Sequence, residues 1–203
     1  MVKLTFNALG WMFEHGVDRL RRAYEESCRT FYLASEQAHA DWTEHQRLVA
    51  AGAADTIERD EYGNVEWDYG DHIGAIISEA DSGLGLVTEA FTMALHHYWE
   101  KQLRRMMKAE RYVEREAFDW LTANGLVPRQ SELTELRLAA NCIKHDDGHL
   151  ARKRPDLFDL ADVVPGMKTG WHAALKLQPR HLEAFFVAVR ESGPQKKSIF
   201  PAT

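Results

Sequence analysis

Apolar residues recur at helical spacing through most of this chain. The longest such stretch, residues 13–51, contains no proline, and charged residues fill the gaps between its apolar positions. The apolar positions of its first half are Val17, Leu20, Tyr24, Phe31 and Ala34. Gly52 follows this stretch at once, as expected where a helix stops. The pattern therefore predicts a long first helix that ends near Gly52.

Four further stretches show helical periodicity: residues 72–109, 111–123, 131–145 and 180–191. Gly83 and Gly85 interrupt the first of these four, so it is either one kinked helix or two helices. We therefore predict an all-α fold, a bundle of five or six helices. A single short strand is expected near residues 171–177.

Turn-forming residues separate these patterns. Residues 55–71 carry seven acidic side chains together with Gly63 and Gly70, which predicts an acidic loop. The tail from about residue 193 is expected to be frayed. A chain of 203 residues is long enough to bury a core, and we expect one domain over residues 1–203.

Composition excludes several classes of protein. Hydrophobic residues make up 45% of the chain and charged residues 28%, which argues against wholesale disorder. Cys28 and Cys142 are the only cysteines, too few for a disulfide framework or a cysteine-rich zinc site, and they suggest a reducing compartment. No run of 18 apolar residues could span a membrane, and residues 1–13 do not resemble a secretory signal. We predict a cytoplasmic protein without membrane contact.

The helix predicted at residues 131–145 carries two neighbouring stripes. At about 100° per residue, one stripe is apolar and consists of Leu133, Leu136, Ala140 and Ile143. The other is rich in hydrogen-bond donors and consists of Arg137, Asn141 and Lys144, with His145 at its edge. Polar groups beside a buried seam need partners, a ligand or a subunit interface.

Residues 137–145, RLAANCIKH, preceded by Tyr98, Trp99 and Glu100 on a long predicted helix, resemble the HEPN superfamily. The signature of that superfamily is an arginine, four to six residues and then a histidine. The resemblance extends over about residues 71–148. Its members are small α-helical bundles, many of them dimeric, metal-independent ribonucleases of toxin–antitoxin and phage-defence systems.

The resemblance implies roles for individual residues. His145 would act as general base or acid at a ribose 2′-hydroxyl, and Arg137 would stabilise the negative phosphorane. Asn141 and Lys144 would add hydrogen bonds and charge to the phosphate, and Glu100 would orient Arg137. The expected partners are RNA, a second copy of the chain in a homodimer, and an antitoxin or other protein.

Two alternatives remain open for the same segment. Seven residues separate Arg137 from His145, or roughly 12 Å along a helix axis, so the segment is expected either to cleave RNA or to bind it without cleavage. Alternatively, Lys144 and His145 suit the negative end of a helix, with Gly148 beyond it, and need no further function. In that case the chain is a non-catalytic helical protein-interaction module.

Local basic clusters occur although the net charge is −6. One contains Lys101, Arg104, Arg105 and Lys108, and another contains Arg152, Lys153 and Arg154. A third includes Arg19, Arg21 and Arg22. Each cluster alone is typical of a solvated face. If the first two converge, they form a positive groove for RNA.

The sequence favours neither a metal nor a cofactor. His96 and His97 are adjacent and point about 100° apart on a helix, so at most one faces inward. Gly148 separates His145 from His149, and the acidic loop does not match calcium-binding spacing. Gly-rich phosphate loops and hydrolase motifs are absent. A metal-dependent bundle enzyme is a third hypothesis.

Overall fold

The structure, a computed structural model, describes residues 7–159, 161 and 170–197. Within these residues it contains seven α-helices and one two-stranded sheet, which confirms the all-α prediction. The helices are α1 (Ala8–Ala50), α2 (Tyr69–Met107), α3 (Glu114–Ala123), α4 (Gln130–His145), α5 (His149–Lys153), α6 (Trp171–Ala174) and α7 (Pro179–Ser192). The strands are β1 (Ile57–Arg59) and β2 (Val65–Asp68). None of these helices is long and apolar enough to cross a membrane.

Helix α2 is continuous through Gly83 and Gly85, so residues 72–109 do not form two helices. A Cβ atom at Gly83 would lie 2.1 Å from Cε1 of Phe31. The glycine therefore allows the phenyl ring to pack directly against the helix backbone. This close approach offsets the cost of a glycine inside a helix.

The acidic loop predicted at residues 55–71 contains a β-hairpin instead. Strands β1 and β2 are antiparallel, and the acidic residues alternate with Ile57, Val65 and Trp67, which favour strands. The turn is held by the Asp60 carboxylate, which accepts hydrogen bonds from the backbone N–H groups of Tyr62 and Asn64. Because β1 and β2 have only three and four residues, the alternation of apolar and acidic side chains in them is hard to distinguish from the pattern of a loop.

Two smaller predictions near the end of the chain need correction. The strand expected at residues 171–177 begins as a helical turn, α6, and only Leu175 forms an isolated β-bridge, with Phe158. The tail expected to fray from residue 193 is held instead, because the backbone N–H of Lys196 donates to Glu14 and its carbonyl accepts from Asn7. Residues 198–203 lie outside the described residues.

The chain divides into two compact units. Unit 1 comprises Met1–Tyr24 and Thr88–Thr203, and unit 2 comprises Glu25–Val87, so that α1 and α2 each contribute to both. In unit 1, α4 packs against α5, α6 and α7. Its core contains the fully buried side chains of Leu95, Trp99, Leu103, Leu121, Leu133, Leu136, Leu182 and Phe186. Burial of this apolar surface provides the driving force that holds the helices of unit 1 together.

Candidate functional site

A buried histidine with an unsatisfied nitrogen lies on α2. His96 is 5% exposed, and its Nε2 atom has no hydrogen-bond partner among the described residues. The nearest carboxylate oxygen of Glu100, one helical turn away, is 3.9 Å from that nitrogen. The neighbouring His97 is exposed, and its Nδ1 lies 3.4 Å from the other oxygen of Glu100. As expected for adjacent helical positions, only one of the two imidazole rings is buried.

Burial lowers the pKa of His96 to about 4, so that its ring is neutral at pH 7. The carboxylate of Glu100 opposes this shift, whereas the positive charges of His97, Arg137 and Lys144 add to it. Arg137 and Lys144 of α4 are thus close enough to His96 to act on its charge. The sequence pattern had not indicated a role for this histidine.

Arg137 is held by a different acid from the one that the HEPN resemblance implies. Its Nε donates a hydrogen bond to Oε1 of Glu114, at 3.1 Å, from the first turn of α3. Glu100 instead lies between His96 and His97. The sequence offered no signal for the Glu114 contact, because the two residues are 23 positions apart and belong to different helices.

Tyr112 adds a protonated hydroxyl to this region. The indole N–H of Trp99 donates to the Tyr112 hydroxyl at 3.1 Å. Burial raises the pKa of Tyr112, and the charges of Glu114 and Glu100 raise it further. We call His96, His97, Glu100, Tyr112, Glu114 and Arg137 the polar cluster. It combines two imidazoles, of which that of His96 is neutral, with a phenol, two carboxylates and a guanidinium from α2, α3, α4 and the connection between α2 and α3.

The remaining predicted residues of α4 have side chains that are open to a ligand. Asn141 is half-buried, and Lys144 and His145 are exposed. Across residues 7–159, 161 and 170–197, none of these three side chains has a hydrogen bond or an ion pair. Arg137 and His145 are eight positions apart on an uninterrupted helix, as the sequence predicted.

The end of α4 corrects the simple capping interpretation. The residue in the left-handed conformation is Asp146, with φ 57°, rather than Gly148. Its carboxylate accepts hydrogen bonds from the backbone N–H groups of Gly170 and His172. Gly148 has a separate role, because a Cβ atom there would lie 2.4 Å from the ring of Trp171. Lys144 and His145 do occupy the last turn, as that interpretation expects.

The basic cluster of α2 lines an open depression of about 680 Å³. Its lining consists of His97, Glu100, Lys101, Arg104, Arg105, Lys108 and Ala109. We call the four Lys and Arg side chains of this set the α2 basic face. In the described part of the chain, none of the four has an ion pair or a side-chain hydrogen bond. Two members of the polar cluster, His97 and Glu100, close one end of the depression.

The second basic cluster is placed elsewhere and is largely neutralised. Arg154 contacts Oε2 of Glu135 at 2.7 Å and Oδ2 of Asp156 at 2.8 Å, and Nζ of Lys153 lies 3.7 Å from Glu135. At about 100° per residue, Glu135 points roughly 160–180° away from Arg137 and Lys144 on α4. Arg152, Lys153 and Arg154 do not line the depression, so the two clusters do not form a common positive groove there.

Three side chains of the polar cluster have the donors that a metal requires. One ring nitrogen of His96, one of His97 and one carboxylate oxygen of Glu100 all lie within 4.8 Å of one another. The sequence did contain a signal for this group. A histidine and a glutamate four positions apart share a helix face, and His97 precedes Glu100 by three positions.

Unit 2 carries a separate aromatic cluster where the hairpin meets α2. The rings of His45 and Tyr69 stack with centroids 3.9 Å apart, and Trp42 and Trp67 flank Tyr69. On the hairpin, Tyr62 and Val65 are largely exposed. This surface carries mainly apolar and acidic side chains, in contrast to the α2 basic face.

Comparison of the chain with models of protein families, with curated proteins and with solved structures finds no match.

Proposed function

We propose that this chain binds RNA along the α2 basic face and presents a backbone phosphate to the polar cluster and the end of α4. The observation that carries the proposal is the depression lined by Lys101, Arg104, Arg105 and Lys108, none of them paired within the described residues. These four neighbouring cations without carboxylate partners concentrate positive charge on a chain whose net charge is −6. Such a surface gains free energy from phosphates by releasing their counterions.

The end of α4 supplies chemistry suited to a phosphodiester. The His145 ring has the exposure needed to accept a proton from a ribose 2′-hydroxyl. The 2′-oxygen would then attack the adjacent phosphorus and form a 2′,3′-cyclic phosphate, while the bond from phosphorus to the 5′-oxygen breaks and that oxygen takes a proton from the His145 imidazolium. Lys144 and the guanidinium nitrogens of Arg137 not bonded to Glu114 would stabilise the charge that develops on the phosphorane. The proposal is thus an HEPN-like RNA-binding protein with metal-independent cleavage. The proposal also includes that the chain forms a symmetric homodimer and acts in a toxin–antitoxin or phage-defence system.

Binding is tested by two variants of equal charge change. Fluorescently labelled RNAs, including a tRNA, are titrated with protein in excess EDTA, and anisotropy reports the dissociation constant. We expect Lys101→Gln/Arg104→Gln to weaken binding about tenfold at 0.1 M salt. The matched control, Arg152→Gln/Lys153→Gln, retains Arg154 for Glu135 and is expected to bind as the wild type does. Equal loss in both variants would contradict a site on α2.

Cleavage is tested in the same samples. Labelled RNA incubated with wild type in EDTA should yield discrete products, and His145→Ala should yield none. Retained RNA binding by His145→Ala would show that the loss is chemical. Binding without cleavage by the wild type would limit the function to RNA binding.

The hairpin of unit 2 favours protein interaction as a second candidate function. Its exposed apolar side chains include Tyr62, 82% exposed, and Val65, 51% exposed. Exposed apolar groups on a short two-stranded sheet are typical of protein contacts. If no RNA binds, this surface is the better candidate. The test is then whether Tyr62→Ser/Val65→Ser abolishes association of the chain with itself or with an added partner, measured by sedimentation velocity.

A further inference from the structure

The buried Nε2 atom of His96 has no hydrogen-bond partner within the described residues. Its side chain is 6% exposed, and its Nε2 atom, which solvent does not reach, faces Glu100 at 3.9 Å without a hydrogen bond. Buried polar atoms are normally satisfied, so an orphaned ring nitrogen aimed at a carboxylate indicates a missing partner. A proton shared with Glu100 would require a shorter distance. A cation between the two groups fits the separation better.

We propose that His96, His97 and Glu100 form a binding site for a divalent transition-metal ion of the Zn²⁺ type. Two imidazole nitrogens and one carboxylate oxygen are a donor set that suits zinc, cobalt and nickel. Tetrahedral bonds of about 2.0–2.2 Å place ligand atoms roughly 3.3–3.6 Å apart. The His97–Glu100 contact is already 3.4 Å, and all three donors lie within 4.8 Å. Small side-chain rotations complete the arrangement.

The charge of the surroundings permits a metal here. The cations whose charge acts on His96 from α4 are Arg137 and Lys144. Glu114 already neutralises Arg137 at 3.1 Å, and Lys144 is exposed to water, which screens its charge.

The position of the site determines what else the metal could bind. His97 and Glu100 line the α2 depression, so an ion held by them lies at its edge. Three protein ligands leave at least one coordination position for a water molecule or a phosphate oxygen. The metal would then anchor a phosphate-bearing ligand beside the α2 basic face. The metal site itself does not depend on the proposed binding of RNA.

For the test, the untagged chain is first treated with a chelator, and the chelator is then removed. Co²⁺ is titrated while its visible absorption is recorded, and Zn²⁺ affinity is measured by competition with a chromophoric chelator. We expect one equivalent to bind to the wild type. Glu100→Gln and His97→Ala should each weaken Zn²⁺ binding at least about tenfold, since each removes a ligand. His39→Ala, which replaces an exposed histidine outside the cluster, is the matched control.

Two results would overturn the proposal: no stoichiometric binding by the wild type, or Zn²⁺ affinity unchanged in both Glu100→Gln and His97→Ala. These variants alter side chains with access to solvent, and circular dichroism verifies that they fold. A rise in the melting temperature with Zn²⁺ in the wild type and His39→Ala, but not in the two ligand variants, would support it. RNA binding is measured in EDTA, so failure of the metal site and failure of the proposed function are distinguishable.

Discussion

The two basic clusters lie in different electrostatic surroundings. On the side of Glu135, the cations Lys153 and Arg154 are paired with carboxylates. On α2, by contrast, the basic face has no ion pairs in the described part of the chain, and the buried His96 of the same helix has an orphaned nitrogen. Both clusters are rich in Lys and Arg in the sequence, with four such residues within positions 101–108 and three in succession at positions 152–154.

The difference between the clusters follows from their neighbours. Glu135 is buried, 9% exposed, and an ionised carboxylate in that position requires charged partners. Arg154 and Lys153 meet this structural need and are therefore not available to a ligand. No buried carboxylate makes such a demand on the α2 basic face. A charged run indicates binding only where the fold leaves its charge uncompensated.

Whether the unpaired charge on α2 binds RNA is tested most directly by removing the whole α2 basic face. Replacing Lys101, Arg104, Arg105 and Lys108 with Gln should weaken RNA binding on the order of 100-fold at 0.1 M salt, because four phosphate contacts are lost. The slope of log affinity against log salt should fall by about 3 for single-stranded RNA. Anisotropy titrations at several salt concentrations measure both quantities. An unchanged slope would place the RNA elsewhere.

The buried histidine should make stability depend on pH. The pKa of His96 is about 4 in the folded chain, below the ordinary value of 6.5. The unfolded chain therefore binds one more proton between these values, and stability present above pH 6.5 is lost as the pH falls towards 4. The loss should amount to about 2 kcal/mol.

This pH effect is measured by urea denaturation in EDTA at pH 4.5 and 7 for the wild type and His96→Gln. The variant should lose the part of the pH dependence that one histidine contributes. Parallel profiles for the two proteins would show that the His96 ring is protonated in the folded state as readily as in the unfolded one.

The paired side of α4 should be sensitive to loss of a partner. Arg154→Ala should destabilise the chain by about 1–2 kcal/mol, because it leaves the buried Glu135 with Lys153 alone. Adding Glu135→Gln should restore part of that loss, since the unpaired charge is then removed. Chemical denaturation measures both variants. Additive losses in the double variant would indicate that the pair does not act as a unit.

Loss of a side chain from the α2 basic face should have almost no effect on stability in the same assay. Arg104→Ala should change the free energy of unfolding by less than about 0.5 kcal/mol, since the side chain is exposed and supports no other group. A larger loss would show that Arg104 has a structural partner and would remove the contrast between the two clusters.

The polar cluster and the neighbouring stripe of α4 contain some residues that the sequence pattern predicted and others that it did not. The stripe of Arg137, Asn141 and Lys144 was predictable, because helical spacing determines which side chains share a face. Tyr112 and Glu114 were not predictable, because Tyr112 reaches the site from the connection between α2 and α3 and Glu114 from the first turn of α3. His96 could have been found from its spacing to Glu100, but its burial could not.

The sequence alone was enough to predict the helical class and the bounds of α1, α2, α3, α4 and α7 to within a few residues. These features depend on local periodicity, which each segment carries alone. The tertiary structure decided which acid holds Arg137, which basic cluster is neutralised and which histidine is buried. These depend on contacts between segments far apart in the chain, and the electrostatic environment of a side chain is set by those contacts.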